Sequence, residues 1–141
     1  MIKVSPSMLA CDFSKMGLEI EKVTSCGADL VHMDVMDGHF VPNISFGPAV
    51  IKSMRNKSNL PFDTHLMISN PYNYIEKFAS AGADIITFHL ESQSDIVKTI
   101  EKIKSFGIKA GLAINPETDV TSLLPYLELI DLALVMTVHP G

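Results

Sequence analysis

Gly27-Ala28-Asp29-Leu30-Val31-His32-Met33-Asp34-Val35-Met36 is a short apolar run entered through a Gly-Ala-Asp turn, with polar residues at alternate places. In a β-strand this alternation puts His32, Asp34 and Met36 on one face. Val31, Met33 and Val35 fall on the other, which suits packing against helices. The same entry recurs as Gly82-Ala83-Asp84 before the run from Ile85 to Leu90. The spacing sets one strand–helix unit at about 27 residues and eight units at about 220, close to a compact (β/α)8 barrel.

Outward from this pair, apolar runs alternate with helical patterns along the whole chain. The runs are Ile2 to Leu9, Leu30 to Met36, Phe62 to Ile68, Ile85 to Leu90, Lys109 to Ile114 and Leu132 to Val138. Between them, Phe13, Met16, Ile20 and Val23 recur at helical spacing, with Asp12 as N-cap and Gly27 as stop. Val50, Ile51 and Met54 predict a short helix, and Asn70-Pro71 opens another through Tyr74, Ile75, Phe78 and Ala79. Ser94 or Asp95 opens a helix through Ile96, Val97, Ile100 and Ile103 that Gly107 closes, and residues 119–128 form a fifth. The expected fold is α/β: a parallel sheet of about six strands with five helices, one incomplete TIM-barrel domain over residues 1–141. A sheet ending on its sixth strand leaves an open edge, which favours a fragment of a longer protein over a complete open sheet.

Composition narrows the function. Hydrophobic residues make up 47% and charged residues 19%, which excludes a disordered or collagen-like chain. The net charge of −5 comes without any Lys/Arg run, so no nucleic-acid partner is expected. No apolar run reaches the roughly 18 residues of a membrane span, and no signal-peptide core follows Met1. Cys11 and Cys26 have no metal-ligand spacing, so a reducing cytoplasm is the expected location.

In a parallel barrel the chemistry sits at the strand C-termini. Asp63, His65 and Met67 share one face of the run beginning at Phe62, so His32, Asp34 and His65 can converge across adjacent strands about 4.8 Å apart. Two imidazoles and a carboxylate suit Zn²⁺, Fe²⁺, Mn²⁺ or Co²⁺. The alternative is that each histidine is a hydrogen-bonded core residue, but a buried Asp is rarely left unpaired. His89 either faces the site or is a solvated strand-end residue, with the second at least as strong. His39 is a loop residue and His139 is undecided. Asp29, Asp84 and Asp131 precede strands and are read as structural. Met36, Met67 and Met136 are core filler taken singly, or a water-poor lining taken together. Ser7 is a weak ligand-binding candidate.

The string His32-Met33-Asp34-Val35-Met36-Asp37-Gly38-His39-Phe40-Val41-Pro42-Asn43 resembles the signature of the ribulose-phosphate 3-epimerase family. Phe62-Asp63-Thr64-His65-Leu66-Met67 with Asn70-Pro71 resembles it too. So do Ser5-Pro6-Ser7-Met8-Leu9-Ala10, Gly111-Leu112-Ala113-Ile114-Asn115-Pro116 and Met136-Thr137-Val138-His139-Pro140-Gly141, in the same order. The resemblance implies a ribulose-phosphate-binding (β/α)8 barrel that interconverts D-ribulose 5-phosphate and D-xylulose 5-phosphate in the pentose phosphate pathway. It implies that His32, Asp34 and His65 hold one divalent ion, Zn²⁺ or Fe²⁺ first, with Mn²⁺ or Co²⁺ admissible. Asp34 is then also an acid/base carboxylate. Ser7 and His65 touch a phosphorylated ketose, Met36, Met67 and Met136 line the site, and Gly141 begins a glycine-rich loop over the substrate. The family's second catalytic Asp, its fourth metal ligand, lies on a later strand than this chain contains. Residues 1–141 alone are therefore expected to bind metal weakly and not to epimerise. A homo-oligomer is left open.

Three rivals frame that reading. One is an epimerase of a hexulose phosphate such as allulose 6-phosphate, for which the same site serves. Another is a decarboxylase or aldolase on a related barrel, which needs a lysine near the reacting carbon; Lys52, Lys57 and Lys109 are not at strand C-termini. The third is a binding module on a degenerate barrel, against which the intact trio argues.

Overall fold

Apolar residues at alternate strand positions fix which side of the sheet the helices cover. The computed structural model describes residues 2–141. Five strands, β1 (Val31–Met36), β2 (Phe62–Met67), β3 (Ile85–His89), β4 (Lys109–Ile114) and β5 (Leu132–Val135), pair in parallel in sequence order. Four α-helices cover one side: α1 (Met16–Ser25) precedes β1, and α2 (Pro48–Met54), α3 (Ile75–Ala81) and α4 (Ile96–Ser105) connect β1 to β2, β2 to β3 and β3 to β4. Val31, Met33 and Val35 join Phe62, Leu66, Ile86, Phe88 and Leu112 in a buried layer. Ile20, Ile51, Ile75, Phe78, Ile100 and Ile103 press on it from the helices. Each such side chain contributes about 1.5–3 kcal/mol by leaving water. The other face carries the polar residues.

Two expected elements differ in kind. The run 2–9 lies along β1 as extended chain but makes only one bridge, Ser7 to His32. Its carbonyls do the pairing: Val4 O accepts from Asp29 and Leu30, and Pro6 O accepts from His32 at 3.0 Å. Pro6 has no N–H to return, so a regular ladder cannot form there. Ser7 then caps a 3₁₀ turn, Met8–Ala10, by accepting from the Leu9 N–H. The expected helix 119–128 is instead a 3₁₀ helix, Val120–Tyr126, with Pro125 inside it. The Pro125 ring would collide with the carbonyl four residues back in an α-helix, so only the tighter turn is available. The last strand is also shorter than its run, ending at Val135.

The aspartates before strands are structural, as expected. Asp29 accepts from the Val4 N–H at 2.8 Å, Asp84 from Phe62 at 2.8 Å and Asp131 from Ala110 at 2.9 Å. In each case the foot of one strand satisfies an N–H at the foot of the segment before it. Asp84 also receives the Arg55 guanidinium at 3.2 Å, and Arg55 lies 4.0 Å from the Phe62 ring centre. Among the described residues no helix is long and apolar enough to cross a membrane.

On the polar face, Asp34, His65, Thr87 and Gly111 occupy one level of the sheet by register. A methyl built on Gly111 would overlap Thr87 Oγ1 and lie 2.9 Å from Thr87 Cβ. Both residues are buried, so neither can retreat to solvent. Gly111→Ala should therefore destabilise the fold by about 1–3 kcal/mol through overpacking. Thr87→Ala in the same chain should recover part of that loss, a non-additive result that urea unfolding of the single and double variants will read.

Candidate metal centre

β1 and β2 pair with His32 opposite Asp63 and Asp34 opposite His65. Side-chain alternation turns all four toward the face away from the helices, so they form a block of two imidazoles and two carboxylates. Asp34 is at its centre. Its Oδ1 lies 3.2 Å from His32 Nε2 and 2.9 Å from His65 Nδ1. Its Oδ2 accepts from the Ser7 hydroxyl at 2.5 Å. One donor atom from each of His32, Asp34 and His65 falls within 4.8 Å of the others. The convergence expected from strand alternation is thus present in the folded chain.

Charge in this block is strongly displaced. Burial pushes the Asp34 carboxyl up, but hydrogen bonds from His32 and His65, the charge of His32 and the Ser7 hydroxyl outweigh it. Asp34 is held well below the usual carboxylate range. Burial pushes His32 down, but its hydrogen bonds to Asp34 and Asp63 and their charges raise it to about 10. Without a metal, His32 is thus an imidazolium beside an ionised carboxylate. A divalent cation replaces that proton, as metal binding to imidazole requires.

The donor set fits such an ion. Two imidazole nitrogens and a carboxylate oxygen are a donor set that could hold a divalent metal ion. Asp63 Oδ2 sits 2.7 Å from His32 Nδ1, which orients the ring and leaves Nε2 facing Asp34. A carboxylate behind a ligating histidine is the usual support of a metal site.

Around the trio, Met36 and Met67 are buried with Val41, and Leu9 and Phe40 pack on them. Met136 lies past the end of β5, half-buried, with its N–H on Ile114 O, and does not belong to that cluster. Gly141 has φ +85°, and a Cβ on it would lie 2.8 Å from Val41 Cβ, so it touches the loop that covers the methionines. Ser45 in that loop donates to Asp34 O at 2.6 Å and accepts from Met36 N–H at 3.0 Å, fixing the end of β1.

His89 is the main correction. It is fully buried, not a solvated strand end. Its Nε2 lies 2.8 Å from His65 Nε2, its Nδ1 lies 3.2 Å from Glu91 Oε2, and the Phe40 ring covers it at 5.0 Å. Burial and the charge of His65 push it down to about 4, against its hydrogen bonds to Glu91 and Asn115 and the charge of Glu91. His39 is exposed, with Nδ1 3.0 Å from Asp37 O. His139 is exposed beside Glu117 at 3.1 Å. Asp63, Ser45 and Glu91 carried no assigned role in the sequence; for Asp63 and Glu91 the signal was spacing by two from His65 and His89.

Solved structures with the same architecture are remote in sequence. A mandelate oxidase variant crystallised with 2-hydroxy-phenylacetamide superposes with a TM-score of 0.63 at 14% identity, over 88% of this chain and 46% of that one. Yersinia pestis DHPS gives 0.62 at 15% identity, over 89% and 50%. These likenesses place the sheet and helices in the TIM-barrel fold and carry nothing further. In sequence, a ribulose-phosphate 3-epimerase from Bacillus subtilis (strain 168) is 50% identical over 141 residues, all of this chain and 65% of the relative. The Treponema pallidum (strain Nichols) ribulose-phosphate 3-epimerase is 46% identical over 138 residues, 98% of this chain and 63% of the relative. The chloroplastic ribulose-5-phosphate-3-epimerase of Arabidopsis thaliana is 46% identical over 142 residues, 99% of this chain and 50% of the relative. The chain spans between half and two thirds of the length of these curated relatives. The sequence model of the ribulose-phosphate 3 epimerase family matches residues 3–141, and the chain belongs to that family.

Proposed function

We propose that residues 1–141 carry the metal-and-base half of a longer protein that interconverts D-ribulose 5-phosphate and D-xylulose 5-phosphate by removing and returning the proton on C3, and that the tests below apply to that longer protein. The observation that carries this reading is Asp34: a buried, ionised carboxylate with two differently placed oxygens. Oδ1 faces His32 and His65, and Oδ2 faces Ser7. One oxygen is thus available to an ion while the other takes a proton from carbon. The roles of His32, Asp34 and His65 as ligands, and of Ser7, His65, Met36, Met67, Met136 and Gly141 toward the substrate, are part of the same proposal.

His32, Asp34 and His65 would hold a divalent cation, zinc or ferrous iron by its donors, which would supply the positive charge that stabilises a developing enediolate. Asp34 accepts the C3 proton, and the electron pair moves into the C2 carbonyl to give an enediolate. The Ser7 hydroxyl holds Oδ2 in place and gives a polar contact to the sugar. Met36, Met67, Val41 and Phe40 keep bulk water from the planar intermediate, so stray protonation is limited. Inversion needs an acid on the opposite face. Asp63 lies behind His32, with Oδ2 on the ring's Nδ1, and is read as support for that ring. We place that second acid in the part of the family's length that residues 1–141 do not span. Unpaired Cys11 and Cys26 support a reducing compartment, the cytoplasm in this reading.

Asp34→Asn should lower C3 proton exchange by about 10²- to 10⁴-fold, the usual worth of a positioned base. Solvent deuterium appearing at C3 of ribulose 5-phosphate, followed by NMR, measures this directly. Wild-type exchange in the variant would end the assignment of Asp34. Chelation should abolish turnover, and Zn²⁺ or Fe²⁺ should restore it. Metal analysis of His32→Asn and His65→Asn should find bound metal lost in both. Full retention in either would remove that histidine from the ligand set.

A further inference from the structure

Behind His65, on the side away from Asp34, lies a second line of hydrogen-bonding groups that the proposed chemistry does not use. His65 Nε2 meets His89 Nε2 at 2.8 Å. The ring centres are 5.0 Å apart and the planes are inclined by only 27°. Two nitrogens this close cannot belong to rings lying face over face, so the rings meet edge to edge with one N–H between them. His89 Nδ1 then meets Glu91 Oε2 at 3.2 Å. Glu91 Oε1 accepts from the Asn115 backbone N–H at 2.8 Å and from the Thr118 hydroxyl.

The direction of each bond is fixed by its far end. A carboxylate only accepts, so the proton between Glu91 and His89 sits on His89 Nδ1. A neutral His89 then offers a lone pair on Nε2, and the proton between the two histidines sits on His65 Nε2. At the other end His65 Nδ1 donates to Asp34 Oδ1 at 2.9 Å in the metal-free chain, and this is the proton that a metal ion would displace, leaving the lone pair on Nδ1. Asp63 does the corresponding work for His32 from its own strand, one bond away. Adjacent histidines on β2 and β3 therefore make a two-step version of the carboxylate–histidine–metal arrangement.

We infer that Glu91 and His89 are positioning residues: their one-way chain of hydrogen bonds keeps the proton of His65 on Nε2 and turns its Nδ1 lone pair toward the metal. The inference rests on the metal-centre reading above. Glu91→Gln is the sharpest probe of it. The Asn115 N–H can only donate, so it holds the amide oxygen of the new side chain at the Oε1 position. The amide NH₂ then faces His89 Nδ1, which must become an acceptor. The proton order inverts through His89, and His65 presents an N–H to the metal instead of a lone pair.

The test is zinc affinity in the full chain, measured by competition with a chromophoric chelator, alongside thermal unfolding of the metal-free proteins. Glu91→Gln should weaken zinc binding about 10- to 100-fold, the range for lost support of a ligating histidine, with metal-free unfolding unchanged. His89→Gln, whose amide oxygen can still accept from His65, should bind zinc more tightly than His89→Leu. In the zinc-loaded wild type, ¹⁵N spectra should show His65 protonated at Nε2. Equal affinity in Glu91→Gln, zinc on His65 Nε2, or an affinity loss matched by a fall in metal-free stability would each overturn the relay. If wild type and Asp34→Asn bind zinc equally poorly, the metal centre itself falls and the relay with it. A wild type that binds zinc with unaffected Glu91 and His89 variants sinks the relay alone.

Discussion

Everything in the site depends on the register of β1 against β2. With Asp34 opposite His65 and His32 opposite Asp63, four polar side chains meet on the face that no helix covers. A slip of one residue would turn His32 and Asp34 toward the helices and bring Val35 and Met33 into the site. An ionised Asp34 buried among Ile20, Ile51 and Phe78 would cost several kcal/mol with no partner to offset it. The register is pinned at both ends. At the foot of β2, Asp84 holds the Phe62 N–H while Arg55 reaches Asp84 and the carbonyls of Ser58 and Leu60. At the head of β1, Ser45 bonds both Asp34 O and Met36 N–H.

The trio was legible because its signal is local. Alternation over six residues needs no knowledge of neighbours, and placing β2 beside β1 follows from chain order in a parallel sheet. Asp95, one of two candidates with Ser94, caps α4, whereas Asp12 caps a 3₁₀ turn, Phe13–Lys15, and α1 itself begins only at Met16. His89 was not legible, because its burial is decided by Phe40 arriving from a distant loop and by His65 on the next strand. The role of Asp63 was hidden in a similar way: its alternation was visible, but its hydrogen bond to His32 depends on register. Two misreadings had their cause in plain view. Pro6 and Pro125 each remove an N–H, and the regular pattern around them outweighed that in reading 2–9 as a full strand and 119–128 as a helix.

The block also shows how two histidines with the same proposed ligand role come to turn different nitrogens inward. His32 is backed on Nδ1 by a carboxylate in the adjacent strand, so its Nε2 points inward. His65 is backed on Nε2, so its Nδ1 points inward. The difference follows from what lies behind each ring. β1 has a neighbour with Asp63 at the right level, whereas β3 offers Thr87 opposite His65 and a histidine one pair further on. Glu91 is the carboxylate nearest along that path, and it can act only through His89.

Asp34 carries a tension that bears on the proposed epimerisation. The surroundings that keep it ionised also make it a weak base, since its carboxyl is held well below the ordinary range. Proton removal from carbon therefore cannot draw its driving force from basicity. In the proposed reaction the same positive charge, a proton on His32 or a cation between the proposed ligands, would stabilise the enediolate formed when the proton leaves. A weak base is sufficient if the carbon acid is made stronger by an equal measure. It is also easily relieved of its proton, which a reversible reaction between near-equivalent sugars requires. The apolar cover of Met36, Met67, Val41 and Phe40 then has an electrostatic purpose, because the charge acts on the intermediate only where water does not screen it.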